Sequence, residues 1–403
     1  MKIWNKKKLS EVADVIGGGT PSTNNFEYWE GDIPWITPKD LSGYNKRYIS
    51  KGSRNISMLG LKNSSSRILP KGSVLLTSRA PIGYIAIAKN EVCTNQGFKS
   101  LVLKEGNDSQ FFYYLLKNNI EYIKNMSSGS TFSEISGTQV KNLEFEIPPL
   151  ETQRKIAKVL SAFDDKIELN NKINENLEQQ AQAIFKSWFI DFEPFGGKMP
   201  NDWSLVPLKN IADFIGGYSY KGNELQNSNC AMATIKNFGR NGGFKLDGFK
   251  EIIPTNIKSE QEVKIFDIVV AHTDLTQNAD VIGNAEILLS CGKYEKIIFS
   301  MDLVKVLPKQ KNLHFILATM LKNKNFKNHC LGYINGTTVL HLSKKALPDY
   351  IINIPKDLNT LLPLEELLKN IYVLIANNLN ENIKLTNLRD TLLPKLMSGE
   401  LKV

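Results

Sequence analysis

The 403-residue sequence has little of what most enzymes build their chemistry from. Its four cysteines, Cys93, Cys230, Cys291 and Cys330, stand far apart with no CxxC spacing, which excludes a zinc ribbon and a vicinal redox pair. Its four histidines, His272, His314, His329 and His341, form no HExxH or other metal-type cluster. No run approaches ~20 apolar residues, which argues against a membrane span. Lys6-Lys7-Lys8 is not followed by the apolar segment that a secretory signal needs. A P-loop is missing too: Gly197-Lys198-Met199 and Gly292-Lys293-Tyr294 lack both the hydroxyl and the upstream glycine. Gly17-Gly18-Gly19-Thr20-Pro21 is glycine-rich, but proline follows at once and no GxGxxG opens a helix, so a dinucleotide site is not indicated. Ile147-Pro148-Pro149-Leu150 lacks the flanking polar and aromatic residues with which amino-methyltransferases hold a flipped base. These absences predict a cytoplasmic protein with reduced thiols and indicate no metal site, nucleotide site or Ser-His-Asp constellation among the recognisable motifs.

What is present is charge and repetition. Lysine and arginine number 50 against 41 aspartate and glutamate, a net charge of +9 that attracts polyanions, nucleic acid first. The length suffices for two domains with real cores. Leu9-Ser-Glu-Val-Ala-Asp-Val-Ile-Gly17-Gly18 returns as Leu208-Lys-Asn-Ile-Ala-Asp-Phe-Ile-Gly216-Gly217, a shift of 208 − 9 = 199. Gly129-Ser-Thr131 through Ser136 returns as Gly336-Thr-Thr338 through Ser343, a shift of 336 − 129 = 207. Such a period far exceeds the ~20–50 residues of a solenoid unit and matches a domain plus a connector. Two like halves tend to recognise two like things.

In the first half, Val74–Thr77, Tyr84–Ala88, Lys99–Leu103 and Glu144–Ile147 read as strands, and Phe111 through Ile123 as a helix. The second half repeats the order with strands at Phe266–Val270, Ala285–Leu289, Asp302–Val306 and Tyr350–Ile354 and a helix at Leu313–Lys322. After each comes a long heptad pattern. Ile156, Leu160, Phe163, Ile167, Asn170, Asn174, Leu177, Ala181, Ile184 and Trp188 fall at alternating steps of four and three. Leu364, Leu368, Ile371, Ile375, Asn378, Asn382, Leu385, Arg389, Leu392 and Leu396 repeat the steps, each shifted by 364 − 156 = 208. The polar interruptions coincide, Asn170 with Asn378 and Asn174 with Asn382. If the two helices pair antiparallel with partner numbers summing to 552, Ile156 meets Leu396, Asn170 meets Asn382 and Asn174 meets Asn378. Polar seam residues cost stability and fix register. A parallel pairing also matches asparagine with asparagine, but only the antiparallel one lets a two-fold axis across the coil relate the halves. Two misfits stand out: Arg389 faces Phe163 in an apolar seam, and Pro394 is expected to end or kink the second helix near Leu393. A coil over 156–188 is roughly 50 Å long at ~1.5 Å per residue. As a spacer it would set two DNA-reading lobes ~10–15 base pairs apart at ~3.4 Å per pair.

Candidate DNA contacts lie on loops. Thr20, Ser22, Asn24, Asn25 and Tyr28 can offer hydroxyls and amides to base edges or phosphates, and Lys39, Lys46 and Arg47 can neutralise phosphates. Ser78 and Arg79 end a strand, arginine being the usual bidentate reader of guanine. Ser130 and Thr131 can donate hydroxyls to phosphate. The counterparts in the second half are Tyr218, Tyr220 and Lys221; Lys236, Asn237 and Arg240; His272 and Thr273; and Thr337 and Thr338. The frame repeats but these loops do not. Thr77 to Gly83 corresponds to the longer, less basic Ala271 to Gly283, so a target read by both would be split and asymmetric. A stand-alone nuclease or methyltransferase is the competing class, and an assembly-only half-partner a third.

With these residues in view, the chain resembles the specificity subunits of type I restriction–modification enzymes, nearly end to end. The markers are Gly18-Gly-Thr-Pro-Ser22, Ile33-Pro-Trp-Ile-Thr37, Arg79-Ala-Pro-Ile-Gly83, Thr94-Asn-Gln-Gly97, Gly129-Ser-Thr131, Pro148-Pro-Leu-Glu-Thr-Gln153, Phe185-Lys-Ser-Trp-Phe189 through Pro194, and Leu388 through Gly399. The resemblance implies two similar mixed α/β target recognition domains, at 1–150 and 200–354, separated by an antiparallel two-helix coiled coil with pseudo-two-fold symmetry. The coil would be built from helices at 151–193 and 360–399, regions of the family's conserved type. It further implies double-stranded DNA and two modification subunits as partners, with restriction subunits able to join. S-adenosylmethionine, ATP and magnesium would reside in those partners, which methylate adenine at N6, and no cofactor in this chain. The second half departs from the markers at Gly217-Tyr-Ser-Tyr220 and Phe299-Ser-Met-Asp302.

Overall fold

The computed structural model describes residues 4–127, 133–240 and 242–403. The chain divides into two compact units, one of Met1–Glu168 with Lys384–Val403 and one of Leu169–Ile383. Both divisions fall inside long helices, Leu150–Phe189 and Leu362–Met397, whereas the limits 1–150 and 200–354 expected from the repeat follow secondary structure.

In the first unit a five-stranded sheet runs in the order Ala13–Gly17, Lys99–Leu103, Val74–Ser78, Ile82–Ala88, Tyr48–Ile49, antiparallel except for the last pair. The helix Ser109–Asn118 packs on it, burying Phe111, Phe112, Leu115 and Leu116 with Val74 and Leu101. Ile36, Leu75, Ala86 and Phe98 form a second cluster. The expected helix through Ile123 is broken at Asn119, whose side-chain amide donates to the Leu115 carbonyl at 2.8 Å and competes with the helical ladder; a second helix resumes at Ile120–Asn125. A smaller sheet of Arg54–Ile56, Trp29–Ile36 and Cys93–Thr94 stands beside the first, with Trp29 and Trp35 edge to face at 5.0 Å. Gln153, 1 % exposed, anchors the start of the long helix: it donates to the Pro148 carbonyl at 2.9 Å and accepts from the Asp108 N–H at 2.9 Å.

The seam misfit Arg389 resolves within this unit. It lies against Asp164 rather than Phe163, and Asp164, 7 % exposed, also accepts from the Tyr114 hydroxyl at 2.5 Å. Arg47 completes the group, bonded to Asp165, to the Tyr114 oxygen at 3.3 Å and to the Ser161 carbonyl at 3.4 Å. Burial, with the Asp164 carboxylate beside it, pushes the Tyr114 phenol far above its ordinary pKa, so it stays a donor. Ile156, Leu160, Leu393 and Leu396 are buried in the same unit's core, and Phe163, Ile167, Leu385 and Leu392 are half-buried. Pro394 does not end the helix at Leu393; the helix runs on to Met397, and the Pro394 carbonyl accepts from the Ser398 N–H at 2.9 Å, so the proline costs the one bond its missing N–H would have made to the carbonyl four residues back.

The second unit repeats the plan. Its four-stranded antiparallel sheet runs Ala212–Gly216, Leu303–Pro308, Ile268–Ala271, Ala285–Ile287. A smaller sheet pairs Cys230–Ala233 in parallel with Lys296–Phe299, as Trp29–Ile36 pairs in parallel with Cys93–Thr94. The helix His314–Leu321 is buried along almost its whole length. A three-stranded ribbon of Thr273–Asp274, Leu340–Leu342 and Ile334–Asn335 has no equivalent among the described strands of the first unit. Here the two long helices run antiparallel. Asn170 donates to Asn382 at 2.9 Å and to Glu381 at 2.7 Å; Asn378 donates to Asn174 at 2.8 Å. Leu368, Ile371 and Ile375 are buried, with Leu177 and Ile184 packed against the same cluster. Cysteines at Asn170 and Asn382 are therefore expected to crosslink under mild oxidation, and cysteines at Asn170 and Asn378 to stay reduced, read on a non-reducing gel; the opposite pattern would mean parallel helices.

Candidate nucleic-acid interface

Glycine does similar work in the two units. A Cβ on Gly18 would lie 2.0 Å from the Asn95 carbonyl oxygen, and one on Gly217 2.0 Å from that of Ser300. The next residue then bonds across, Gly19 N–H to Thr94 O at 2.9 Å and Tyr218 N–H to Phe299 O at 2.7 Å. Only a residue without a side chain lets these strand ends approach so closely.

In the first unit this contact carries the loop of residues 18–28. Trp35 Nε1 and Trp29 Nε1 donate to the carbonyls of Gly19 at 2.9 Å and Ser22 at 3.1 Å. Thr20 is exposed and its hydroxyl donates to the exposed Gln96, a partner that the Thr-Asn-Gln-Gly marker contained but that sequence reasoning did not single out as a contact. Ser22 and Asn24 are exposed, Tyr28 is half-buried, and Asn25 caps the turn Phe26–Tyr28 by accepting from the Glu27 N–H at 3.1 Å. Lys39 and Lys46 are exposed. Arg47 is not: at 4 % exposure its charge is spent on Asp165 and Tyr114, so it joins the domain to the helices and is withdrawn from the phosphate-binding set. Ser78 is fully buried and likewise withdrawn. Arg79 beside it is half-exposed in a cleft of about 660 Å³ lined also by Lys124, Ser127 and Glu134, with Glu134 3.5 Å from its guanidinium. Ser130 and Thr131 lie outside the described residues.

In the second unit Lys221, Lys236, Arg240, Thr337 and Thr338 are exposed, and Tyr220 is half-buried with the Lys250 ammonium 5.6 Å from its ring centre. Arg240 has Asp280 at 3.5 Å. Three expected contacts are framework instead. Asn237 is fully buried and holds its turn by accepting from Thr234 N–H at 2.8 Å and donating to Lys245 O at 2.6 Å. Thr273 is buried against Asp302 at 3.0 Å. Tyr218 is buried and donates to Glu224 at 2.7 Å. His272 is half-buried; burial, and then the nearby His341 and Lys344, lower its pKa, so at neutral pH it offers hydrogen bonds and no charge.

Glu224 organises the loop of residues 218–225. Its carboxylate accepts from the Thr255 hydroxyl at 2.5 Å and N–H at 2.9 Å, from Lys221 N–H at 2.7 Å and from Tyr218. These bonds, the Thr255 hydroxyl first, hold its pKa at about 2, below the ordinary 4.5. A folded-state pKa below the unfolded one stabilises fully above about 4.5 and loses that contribution as pH falls toward 2. The Glu224→Gln variant is expected to melt below wild type at pH 7, with the gap closing as pH drops through that window; a gap independent of pH would refute the assignment.

Among the described residues no group of histidine, cysteine and carboxylate side chains is placed to hold a metal ion, and no helix is long and apolar enough to cross a membrane. Burial pushes the thiols of Cys93 and Cys330 up to about 11 and about 12, so neither is a thiolate nucleophile at neutral pH.

The model of the type I restriction modification DNA specificity domain matches residues 1–179. The chain is 36% identical, over all of its own length and 94% of the relative's, to the type I restriction enzyme MjaIX specificity subunit of Methanocaldococcus jannaschii. It is 38% identical over 164 residues, 40% of this chain and 32% of the relative, to the HindI specificity subunit of Haemophilus influenzae. Its fold is similar to the crystal structure of the type I restriction–modification S subunit of M. genitalium, with a TM-score of 0.58 at 19% identity, covering 98% of this chain and 96% of that one.

Proposed function

We propose that this chain, which belongs to the family of type I restriction–modification DNA specificity subunits, reads a split, asymmetric target on double-stranded DNA and docks two modification subunits. Each α/β domain reads one half of the target. The domains carry the target choice; S-adenosylmethionine, ATP and magnesium belong to the partner subunits, which methylate adenine at N6, and restriction subunits can join the assembly.

The observation that carries this reading is the same frame with different loops. The two units share a strand order and a glycine close approach, Gly18 at Asn95 and Gly217 at Ser300. The side chains exposed on the loops differ: Thr20, Ser22, Asn24 and Gln96 in one unit, Lys221, Met301 and the Thr337–Thr338 pair in the other. A shared frame keeps the reading geometry, while unlike loops offer unlike donors and acceptors to the grooves. The net charge of +9 supplies the sequence-independent attraction. The docking of modification subunits is supported by apolar side chains left exposed on both long helices, Leu169 and Ile173 on the first, Leu367, Leu374 and Leu388 on the second.

Methylation mapping of host DNA with and without the gene tests the proposal. A split adenine-methylated motif is expected to disappear in the deletion, and an unchanged methylome would reject it. Purified protein incubated alone with S-adenosylmethionine or magnesium is expected to leave DNA unmodified and uncut; modification by the lone chain would favour the stand-alone enzyme.

A further inference from the structure

We propose that Phe26 is a base contact of the first unit, a single apolar ring that enters a DNA groove and packs on a base or a thymine methyl. This rests on the reading that the chain recognises DNA, and adds a residue to it. Phe26 is 88 % exposed, and no large apolar side chain among the described residues is more so. The ring is not on loose chain that could fold it away. Its turn is pinned by Asn25 to Glu27 N–H at 3.1 Å, by the Ser57 hydroxyl to Glu27 O at 2.5 Å and by Ser57 N–H to Tyr28 O at 2.9 Å. Trp29 behind it is held through Nε1 to Ser22 and covered by the Arg54 guanidinium at 3.7 Å. A turn built this rigidly, with an aromatic side chain directed at water, is a contact prepared in advance.

The neighbours indicate what is contacted. Ser22, Thr23 and Asn24 precede the ring and are exposed, a polar edge suited to base donors and acceptors. Glu27 and Glu30 flank it and are also exposed, so the turn is no phosphate grip. An apolar ring beside groups that hydrogen-bond suits a base edge, where phenylalanine can meet a thymine methyl or wedge at a base step; the flanking carboxylates oppose the approach, and Arg54 at 3.7 Å offsets that of Glu30. Among the described residues the second unit has no such ring at the comparable turn. Its comparable turn, Gly222–Glu224, ends on the buried Glu224, and Tyr220 lies half-buried by Lys250. The contact therefore belongs to one half of the target. The competing occupant is a protein: the short helix Met58–Lys62 packs on the same turn and exposes Met58 and Leu59.

The test uses the full complex with its modification subunits and a duplex carrying the target mapped by methylation. Phe26→Ala is expected to weaken binding about tenfold or more and Phe26→Trp to restore it, the scale of one aromatic–base contact. The dependence of affinity on salt should not change, since no phosphate contact is lost. On a duplex with the first unit's half-site scrambled, wild type and Phe26→Ala should bind alike. Unchanged affinity for the target would overturn the proposal. So would a loss that is uniform across sequences with a shallower salt slope, or failure of the Phe26→Ala chain to assemble with the modification subunits, which would make the patch a protein-docking surface. If the wild-type complex methylates no split target, the broader reading of function fails, and this contact falls with it.

Discussion

Asp164→Ala is expected to destabilise the first unit by about 3 kcal/mol, the low end for breaking a buried pair, because Arg389 keeps Asp390. Tyr114, fully buried, loses its acceptor, and Arg389, 11 % exposed at its side chain, keeps only the more open Asp390 at 2.8 Å. Urea unfolding followed by fluorescence measures the loss, and a change below about 1 kcal/mol, typical of an exposed pair, would show that the group is solvated. The second unit contains the rescue. At positions related by the repeat, Asp164 becomes Tyr372 (372 − 164 = 208) and Arg389 becomes Ala181 (389 − 181 = 208). Tyr114 becomes Thr319 (319 − 114 = 205), and the Thr319 hydroxyl lies 3.2 Å from that of Tyr372. At this layer each junction uses one hydroxyl between a domain helix and a long helix, bonded to a carboxylate in one unit and to a second hydroxyl in the other, where the ion pair is displaced to Lys322 and Glu178 at 3.3 Å. The triple exchange Tyr114→Thr, Asp164→Tyr, Arg389→Ala should recover most of what Asp164→Ala loses, since buried ion pairs replaced by packed neutral groups are often neutral in stability. Additive losses across the three positions would show that the junctions are not interchangeable.

Gly18→Ala is expected to abolish recognition of one half of the target, and Gly217→Ala of the other. The new methyl at either position would stand 2.0 Å from a backbone oxygen, which no side-chain rotation relieves. The strand ends must separate, and in the first unit Thr20 then parts from Gln96, and Gly19 from the Trp35 indole. The cost exceeds the ~1 kcal/mol of an ordinary glycine effect, so a fall in melting temperature should accompany the loss of binding. The check is a binding assay on duplexes with either half-site scrambled. Equal losses on both halves from one variant would mean that the glycine holds up the whole chain and not one reading loop.

The frame was legible in the sequence because it is periodic. The Asn170–Asn382 and Asn174–Asn378 layers followed from matched polar breaks in two heptad seams, since such defects are tolerated only where they meet each other. Strands such as Lys99–Leu103 and Glu144–Ile147 showed themselves by apolar runs ending at turn residues. The loops were legible only in part. Residue type says what a side chain can bond to, not whether the bond is already made. Arg47, Asn237, Thr273 and Tyr218 have the chemistry of DNA contacts, but the fold uses that chemistry internally. Phe26 escaped notice for the converse reason, because an apolar residue is by default assigned to a core. The break of the helix at Asn119 was visible as a residue that bonds its own backbone, but it is outweighed in any pattern by the apolar residues around it.

Arg79 comes already engaged. Glu134 sits 3.5 Å from its guanidinium and 3.7 Å from the Lys99 ammonium, with the arginine and glutamate side chains about two-fifths open to water. To leave that carboxylate, the arginine must be offered something at least as good. A lone phosphate oxygen on random duplex is a modest inducement, whereas the paired N7 and O6 of a guanine present two acceptors in the spacing a guanidinium fits. On the proposed reading an internal rival of this kind subtracts up to about 1 kcal/mol from every encounter, which a bidentate guanine contact more than offsets. On that reading the arginine is held in place until a base edge takes it over, which suits a chain whose part is the choice of target.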